Sequence, residues 1–275
     1  MWSYYGSKAK MIHLYPPPKY GRVIEPFAGT ARYALKFFDR DVLLVDKNEV
    51  IIKIWQWLQK CSKDDILKLP RLKEAEKLSD YKFDCDEARW LMGFLVNVGV
   101  SQPMNQATYR ATTHRPNFMN FQIKKIASNL FKIKHWKIQA GSYDEIENTE
   151  ATWFIDPPYQ FGGEYYPHGS QQINYKTLSE WCQSRNGQII VCENTKAEWL
   201  NFQPMKKFSG SRHKTVEAIW SNIPTAFDFQ QMSFLQERPL TPHALDGGDS
   251  APSLAVSSPE VLSTLLALST PPHRQ

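Results

Sequence analysis

A buried strand that ends at two consecutive prolines constrains this chain more than any other stretch. Residues 152–155 are β-branched or aromatic, and Pro157 and Pro158 follow directly after Asp156. Proline fixes its own φ angle and cannot donate a backbone hydrogen bond, so the strand must give way to a rigid loop. In open α/β sheets, ligands bind at the carboxyl ends of the strands. The sequence therefore predicts an α/β fold with a ligand site at Asp156.

The loop reads Asp156-Pro157-Pro158-Tyr159, and these residue types suit methyl transfer to an exocyclic amine on a flat heterocycle. The lone pair of such an amine is delocalised into the ring, which makes the nitrogen a poor nucleophile. Hydrogen bonds from the amine to the Asp156 carboxylate and the Pro157 carbonyl favour a localised lone pair, and Tyr159 is placed to stack on the ring. A simple Asp-Pro-Pro turn beside a packed tyrosine is the alternative, so the rest of the chain has to decide.

Two short apolar strands are predicted near the beginning of the chain, at residues 23–24 and 42–45. The first runs into a turn of small residues that ends at Gly29 and precedes a helix, which lets backbone N–H groups approach a ligand closely. The second ends at Asp46, 21 residues after Glu25, where a carboxylate can accept hydrogen bonds from ribose hydroxyls. A cap for the helix that begins near Asn48 is the other interpretation of Asp46.

Strands and helices alternate over the rest of the chain, which is typical of a mostly parallel sheet covered on both faces. Further helices are predicted at residues 48–60, 88–98, 121–131 and 174–185, and further strands at residues 135–139, 188–192 and 216–220. The polar segment 101–118, rich in proline, asparagine and threonine, is predicted to be a long functional loop. The proline- and serine-rich residues 237–275 are predicted to be a disordered tail.

The charge of the chain points to a polyanionic partner. The formal net charge is +5, and no acidic residue occurs between Ala88 and Tyr143. Basic side chains that cluster in this stretch include Arg110, Arg115, Lys124 and Lys125. Such a run is often only a solvated face, but fifty residues without a carboxylate favour nucleic acid as the partner.

Other features exclude whole classes of site. The four cysteines show no C-x-x-C spacing, so we expect reduced thiols and no bound metal. The chain has no long apolar run: residues 261–268, the nearest candidate, are too short to span a bilayer and are interrupted by Ser263 and Thr264, and no secretory signal is recognisable. The sequence therefore predicts a soluble, cytoplasmic protein without a membrane partner.

In their order along residues 1–222, these segments resemble the Dam-type, or D12 class, DNA adenine-N6 methyltransferases. Residues 5–8, Tyr-Gly-Ser-Lys, resemble the family's aromatic-Gly-Gly-Lys opening, and residues 25–30 its methionine-binding turn. Residues 45–48 resemble the segment with its ribose-binding acid. Residues 215–222 resemble the late strand that shapes the target-base pocket. The compact insert looks most like that of phage- or prophage-encoded members.

The resemblance implies a Rossmann-like S-adenosylmethionine-dependent methyltransferase that acts on double-stranded DNA as a monomer or weak dimer. Residues 1–48 and 136–236 would form its catalytic core and residues 49–135 a target-recognition insert. The catalytic residues implied are Asp156, Pro157, Pro158 and Tyr159. The S-adenosylmethionine site implied comprises Tyr4, Tyr5, Gly6, Lys8, Glu25, Pro26, Phe27, Ala28, Gly29, Asp46, Ser142, Tyr143 and Asp156. Arg110, Arg115, Lys124 and Lys125 would contact the nucleic acid.

Two stretches depart from the family pattern. The family commonly has Gly-Asp-aromatic at the adenine end of the cofactor, whereas this chain has Gly141-Ser142-Tyr143. Residues 237–275 resemble nothing in the family. Cytosine-N4 methylation, an RNA substrate and a DNA-binding protein without catalysis remain the alternatives; a nicotinamide oxidoreductase is disfavoured because the chain lacks G-x-G-x-x-G.

Overall fold

A seven-stranded sheet forms the centre of the protein in the computed structural model, which describes residues 1–207 and 216–223. The predicted tail, residues 237–275, lies outside the described residues. The strands are β1 Arg22–Glu25, β2 Asp41–Asp46, β3 Lys137–Ala140, β4 Ala151–Ile155, β5 Gly187–Asn194, β6 Gln203–Lys207 and β7 Val216–Ser221. Their spatial order is β3-β2-β1-β4-β5-β7-β6.

The sheet is mostly parallel, as the sequence predicts. The four pairings from β3 across to β5 are parallel, and β7 runs antiparallel to both β5 and β6. The edge strand β6, whose second residue is Pro204, was not predicted from the sequence. Proline is tolerated there because β6 is an edge strand, and its register with β7 shifts between Pro204 and Lys206.

Helices cover both faces of the sheet, which confirms the predicted layering. They are α1 Arg32–Lys36, α2 Glu49–Lys60, α3 Lys63–Leu67, α4 Asp86–Leu95, α5 Phe118–Asn129 and α6 Tyr175–Gln183. Because side chains alternate along a strand, Leu44 of β2 packs into the cluster shared with α1, α2, α4 and α5, while Leu43 packs into the cluster that contains Leu178 of α6.

The first helix of the connection between β2 and β3 packs against the sheet. Trp55 and Leu58 of α2 are fully buried in the same cluster as Leu44. Asn48 caps this helix by accepting a hydrogen bond from the Val50 N–H group. We therefore propose that the target-recognition segment begins after α2 rather than at residue 49.

Candidate functional site

A cavity of about 340 Å³ lies at the carboxyl ends of the central parallel strands. This volume falls within the roughly 300–1,000 Å³ typical of small-molecule sites. Every residue that the resemblance assigns to the cofactor lines the wall, namely Tyr4, Tyr5, Gly6, Lys8, Glu25, Pro26, Phe27, Ala28, Gly29, Asp46, Ser142, Tyr143 and Asp156. The fold therefore brings together residues from five separate stretches of the sequence.

The turn between β1 and α1 brings the backbone close to this cavity. Gly29 and Ala31 both adopt positive φ angles, of 43° and 46°, and the Ala28 N–H group donates to the Val45 carbonyl at 3.0 Å. Glu25 is buried, and its carboxylate accepts the Ala34 N–H group at 2.5 Å. Burial raises the pKa of Glu25 to about 8, although the Ala34 hydrogen bond opposes that shift.

Asp46 organises the same turn from the tip of β2. Its Oδ2 accepts the Gly29 N–H group at 2.9 Å, and its Oδ1 accepts the Asn48 N–H group at 2.8 Å. The cap of α2 is Asn48, so Asp46 does not serve as the cap that the alternative interpretation assigned to it. Burial raises the pKa of Asp46, and the two backbone hydrogen bonds counteract this. Each carboxylate oxygen has a second lone pair with which it can accept a ligand hydroxyl.

Two aromatic rings lie beside Asp46 on the cavity wall. Phe27 and Tyr143 stack with their centroids 5.4 Å apart and their planes 29° apart. Ser142, the residue that departs from the family pattern, precedes the short 3₁₀ turn Tyr143–Glu145. Its N–H group donates to the Glu145 carboxylate at 2.9 Å, and its backbone carbonyl accepts the Glu145 N–H group at 3.3 Å. These backbone contacts close the turn that carries Tyr143, and Ser142 itself lines the cavity.

Asp156 lies at the end of β4 and forms an ion pair with Lys8. The Lys8 Nζ atom is 2.7 Å from Asp156 Oδ1 and donates to the Gly6 carbonyl at 3.0 Å. Burial raises the pKa of Asp156 to about 6, while the Lys8 ammonium lowers it. For Lys8, burial alone would lower the pKa, but Asp156 and Glu217 raise it above its ordinary value. The lysine is therefore a cation throughout the neutral range.

Tyr159 faces the same ammonium group. The Lys8 Nζ atom lies 4.7 Å from the centroid of the Tyr159 ring, and the Tyr159 hydroxyl donates to Glu217 of β7. The Tyr15 hydroxyl donates to the same Glu217 oxygen at 3.0 Å. Asp156 and Pro158 line the cavity, whereas Pro157 is buried and neither it nor Tyr159 is part of the cavity wall. Lys8 thus lies between a carboxylate and an aromatic face.

The chain that follows Tyr159 is held by the tip of β5. Glu193 is fully buried, and its carboxylate accepts the N–H groups of Gln160 and Asn194, each at 2.9 Å. Asn194 in turn donates from its side chain to the Phe161 carbonyl at 2.9 Å. Burial raises the pKa of Glu193 to about 7, against the effect of the Asn194 and Gln160 hydrogen bonds. These contacts fix the loop from its carboxyl-terminal side.

The predicted nucleic-acid residues are exposed on two elements. Arg110 and Arg115 lie on the connection between α4 and α5, and within residues 1–207 and 216–223 neither side chain forms a hydrogen bond or ion pair. Lys124 and Lys125 are exposed on α5, where Lys125 Nζ lies 6.0 Å from the Phe121 ring centroid. All four basic side chains are therefore accessible.

The same connection reaches the rim of the cavity. The Tyr5 N–H group donates to the Val100 carbonyl at 3.1 Å, and the Ser101 hydroxyl donates to the Tyr165 carbonyl at 2.6 Å. Tyr166 packs over Gly6, whose φ angle is 67°, and its hydroxyl donates to the Tyr5 carbonyl at 3.1 Å. A side chain at Gly6 would collide with that hydroxyl, which is one reason the position requires glycine.

Several wall residues were not predicted individually as site residues, although Ser7, Thr30, Lys47, Asn48 and Gly141 lie within segments that resemble those of the family. They are Ser7, Thr30, Ala31, Arg32, Lys47, Asn48, Gly141, Asp144, Phe154, Tyr166, Pro167, His168, Gln172, Ile173, Asn174 and Thr177. Arg32 continues the recognisable 25–30 turn, and that continuity was the available signal. Tyr166 and His168 come from a loop whose position over the cavity has no local signature.

Among residues 1–207 and 216–223, no helix is both long enough and apolar enough to cross a membrane. Within the same residues, no group of three or more His, Cys, Asp or Glu side chains is arranged to hold a metal ion. All four cysteines are free thiols.

Comparison with known proteins supports the resemblance over the first third of the chain. Residues 4–89 match the family model of the D12 class N6 adenine-specific DNA methyltransferases, which confirms the family predicted from the ordered motifs. This match includes the Tyr4–Lys8 segment, the β1–α1 turn and Asp46. No curated protein matches the sequence.

The solved structures that match this chain include three bacterial proteins. A candidate methyltransferase from Escherichia coli has 10% sequence identity and a TM-score of 0.34, with 78% of each chain covered. A conserved hypothetical protein from Streptococcus pyogenes has 10% identity and a TM-score of 0.29, covering 72% of this chain and 84% of its own. A candidate methylase from Haemophilus influenzae has 12% identity and a TM-score of 0.29, with coverages of 74% and 80%.

Proposed function

We propose that this chain, whose residues 4–89 match the D12 class N6 adenine-specific DNA methyltransferases, methylates N6 of a flipped adenine in duplex DNA. S-adenosylmethionine, when bound, supplies a methyl group on a positively charged sulfur. The cavity fits this donor because it combines stacked rings, a carboxylate for ribose hydroxyls and a turn with close backbone approach. The proposed catalytic loop is Asp156 to Tyr159, as the sequence predicts.

The observation that carries the proposal is the environment of the Lys8 ammonium. This nitrogen donates to the Asp156 carboxylate and to the Gly6 carbonyl, and it lies over the ring of Tyr159. The exocyclic amine of a base needs the same surroundings. Its N–H groups require hydrogen-bond acceptors, and the flat ring that carries the amine can stack on an aromatic ring. The pocket is thus suited to a nitrogen of this kind, and Asp156 provides its strongest acceptor.

The residues of this chain then act by positioning rather than by covalent catalysis. Asp156 accepts a hydrogen bond from the target amine and favours a lone pair that is localised for in-line attack. The hydrogen bond to Glu217 keeps Tyr159 in one orientation, and the target base would stack on its ring in place of the Lys8 ammonium, which lies 4.7 Å from the ring centroid. An adenine inside the duplex cannot be approached in line, so it must leave the stack, at a cost of a few kcal/mol.

The recognition segment that we propose, residues 61–135, would grip the duplex beside the cavity. Its connection between α4 and α5 hydrogen-bonds to Tyr5 and to the Tyr165 loop at the cavity rim. Arg110 and Arg115 lie on that connection, so contacts with DNA phosphates there would place a flipped base close to Asp156. The basic stretch without acidic residues supports this partner over a small-molecule acceptor.

The test is methyl transfer from labelled S-adenosylmethionine to mixed-sequence duplex DNA, followed by analysis of the nucleosides. N6-methyladenine that disappears in the Asp156→Ala variant supports the proposal. If the product is N4-methylcytosine instead, the target base is cytosine rather than adenine. DNA binding without transfer to either base, under conditions in which the cofactor binds, would leave a DNA-binding protein and overturn the proposal. The same assay with RNA separates the two polymers.

We expect methyl transfer to decline as the pH falls through about 6, because Asp156 must be ionised to accept the amine and burial raises its pKa to that value. The carboxylate is fully ionised above this range, so activity is retained there. This decline is the acid limb of the pH–rate profile. The limb should move to higher pH in the Lys8→Met variant, since Lys8 lowers the pKa of Asp156. Single-turnover rates between pH 5 and pH 9 measure the limb.

The control for this profile is Glu193→Gln, because Glu193 is the other buried carboxyl beside the loop whose pKa lies near neutrality. If Asp156 controls the acid limb, the limb keeps its position in this variant, whatever the absolute rate. A limb that disappears in Glu193→Gln, or stays fixed in Lys8→Met, would assign the titration to a group other than Asp156.

DNA affinity should fall with salt, and part of that dependence should come from Arg110 and Arg115. If each contacts one phosphate, the double alanine variant reduces the slope of log K against log salt concentration by about 1.8. Fluorescence anisotropy with a labelled duplex, at several salt concentrations, measures the slope. Lys176→Ala, an exposed lysine of α6 on the opposite face of the sheet, should leave the slope unchanged. If the wild-type protein and both variants show equal slopes, neither Arg110 nor Arg115 contacts a DNA phosphate.

A further inference from the structure

The Lys8 ammonium lies between two carboxylates that belong to different parts of the sheet. Its Nζ atom is 2.7 Å from Asp156 Oδ1, directly after β4, and 3.6 Å from Glu217 Oε1, on β7. The side chains of Lys8 and Glu217 are only 7% and 12% exposed. Burial alone would lower the pKa of Lys8, but the two carboxylates raise it above its ordinary value. Lys8 is therefore a buried cation with one close partner and a second partner within reach.

The proposed function requires the Asp156 carboxylate for a second donor. The target amine must hydrogen-bond to this carboxylate, and its base would take the place over the Tyr159 ring that the Lys8 ammonium occupies. Lys8 does not give way by losing its proton at neutral pH, because its pKa is raised. Moving a buried ammonium away from its counter-ion is strongly unfavourable, because little water is present to solvate the charge. The base therefore enters easily only if Lys8 finds another anion.

Glu217 meets that need because other groups already hold its carboxylate in place. The hydroxyl of Tyr15, a buried residue, donates to Glu217 Oε1 at 3.0 Å, and the Tyr159 hydroxyl donates to the same atom. A carboxylate has about four lone-pair sites, so Glu217 can accept the ammonium as well. A charge-assisted N–H···O hydrogen bond is about 2.8 Å long, so Lys8 Nζ has to move by only about 1 Å towards Glu217.

We propose that Glu217 is a positioning residue that receives the Lys8 ammonium when the target amine takes its place on Asp156. The inference rests on the proposed function and adds a residue of β7 to it. No covalent bond changes and no proton moves, since the exchange only replaces one ion pair of Lys8 by another. Asp156 then keeps its full negative charge for the amine, and the ring of Tyr159 becomes free for the base.

Glu217→Gln tests the charge, because glutamine keeps an acceptor oxygen for both tyrosine hydroxyls and cannot neutralise an ammonium. Single-turnover methyl transfer to mixed-sequence duplex DNA, with saturating S-adenosylmethionine and at a pH above the acid limb, should fall by about 10- to 100-fold, the effect of losing a hydrogen bond to a charged group. In the Lys8→Met background no ammonium competes for Asp156, so the same change should alter the rate by less than about threefold. Glu147→Gln, an exposed glutamate between β3 and β4, is the matched control and should stay within about twofold of the wild-type rate.

Glu217→Asp is the second variant, because aspartate keeps the negative charge on a shorter side chain. It should transfer methyl groups at least about threefold faster than Glu217→Gln, and this comparison decides the outcome if Lys8→Met does not fold or does not bind the cofactor. Equal losses from Glu217→Gln in both backgrounds would show that Glu217 only holds Tyr159 and β7 in place, and would overturn the inference. A wild-type rate in Glu217→Gln, or a rate in Glu217→Asp no higher than in Glu217→Gln, would do the same. If the wild-type protein binds the cofactor but transfers no methyl group, the proposed function fails instead, and the inference with it.

Discussion

Methyl transfer falls by about 1,000-fold when Asp156 is replaced by asparagine, if this carboxylate accepts the hydrogen bond from the target amine. Asparagine keeps the shape and one carbonyl oxygen, so the loss reports the negative charge rather than the packing. A charge-assisted hydrogen bond is roughly twice as strong as a neutral one, and the bond strengthens as positive charge develops on the amine during attack. The effect should therefore lie in kcat. Single-turnover rates with saturating DNA and S-adenosylmethionine measure it.

The matched control is Asp86→Asn at the start of α4, where the side chain is 64% exposed and paired with Arg89 on the same helix. This change removes the same charge on the surface and should leave the rate within about twofold of the wild-type value. A second control is the affinity for S-adenosylmethionine, which should change far less than kcat in Asp156→Asn. If kcat stays within tenfold of the wild-type value, Asp156 does not act on the amine, and its ion pair with Lys8 is structural.

The positions of most strands along the chain, and the strand ends that form the site, were predictable because each of these ends has a local signal. Pro157 and Pro158 mark the end of β4, and the β-branched run before Asp46 marks β2. Parallel strands place their carboxyl ends along one edge, so acids that are far apart in the sequence become neighbours. That is why all the predicted cofactor residues line one cavity. The match over residues 4–89 includes the cofactor residues from Tyr4 to Asp46, whereas Ser142, Tyr143 and Asp156 lie outside it.

The remainder of the site depends on contacts that have no sequence period. Lys8 was predicted as a cofactor residue, yet it pairs with Asp156, which lies 148 residues further along the chain. Glu217 was recognised only as part of a late strand, although two tyrosine hydroxyls donate to it. Such contacts follow from how the strands are ordered in space. β6 was missed for a related reason, since its edge position is what allows Pro204.

Lys8→Met should lower the free energy of unfolding by about 3 kcal/mol, the typical result of removing one partner from a buried ion pair. The side chains of Lys8 and Asp156 are 7% and 22% exposed, so water solvates the Asp156 carboxylate only poorly once the Lys8 ammonium is removed. Asp156 then remains buried beside Glu217 without its cation. For a described region of this size, the melting temperature should fall by about 6–12 °C, because each kcal/mol corresponds to roughly 2–4 °C. Thermal unfolding followed by circular dichroism measures the shift.

Lys53→Met is the matched control, because Lys53 pairs with Glu49 across one turn of α2 while both side chains are about half exposed or more. Surface pairs of this kind contribute less than about 1 kcal/mol, so its melting temperature should change by only a few degrees. The double variant Lys8→Met with Asp156→Asn should be more stable than the sum of the single changes predicts, because the second change removes the uncompensated charge. If the losses of stability in the double variant are additive, or if Lys8→Met and Lys53→Met lower the melting temperature equally, Lys8 does not stabilise the Asp156 carboxylate. The proposal that this pocket suits an amine beside Asp156 would then lose its electrostatic support.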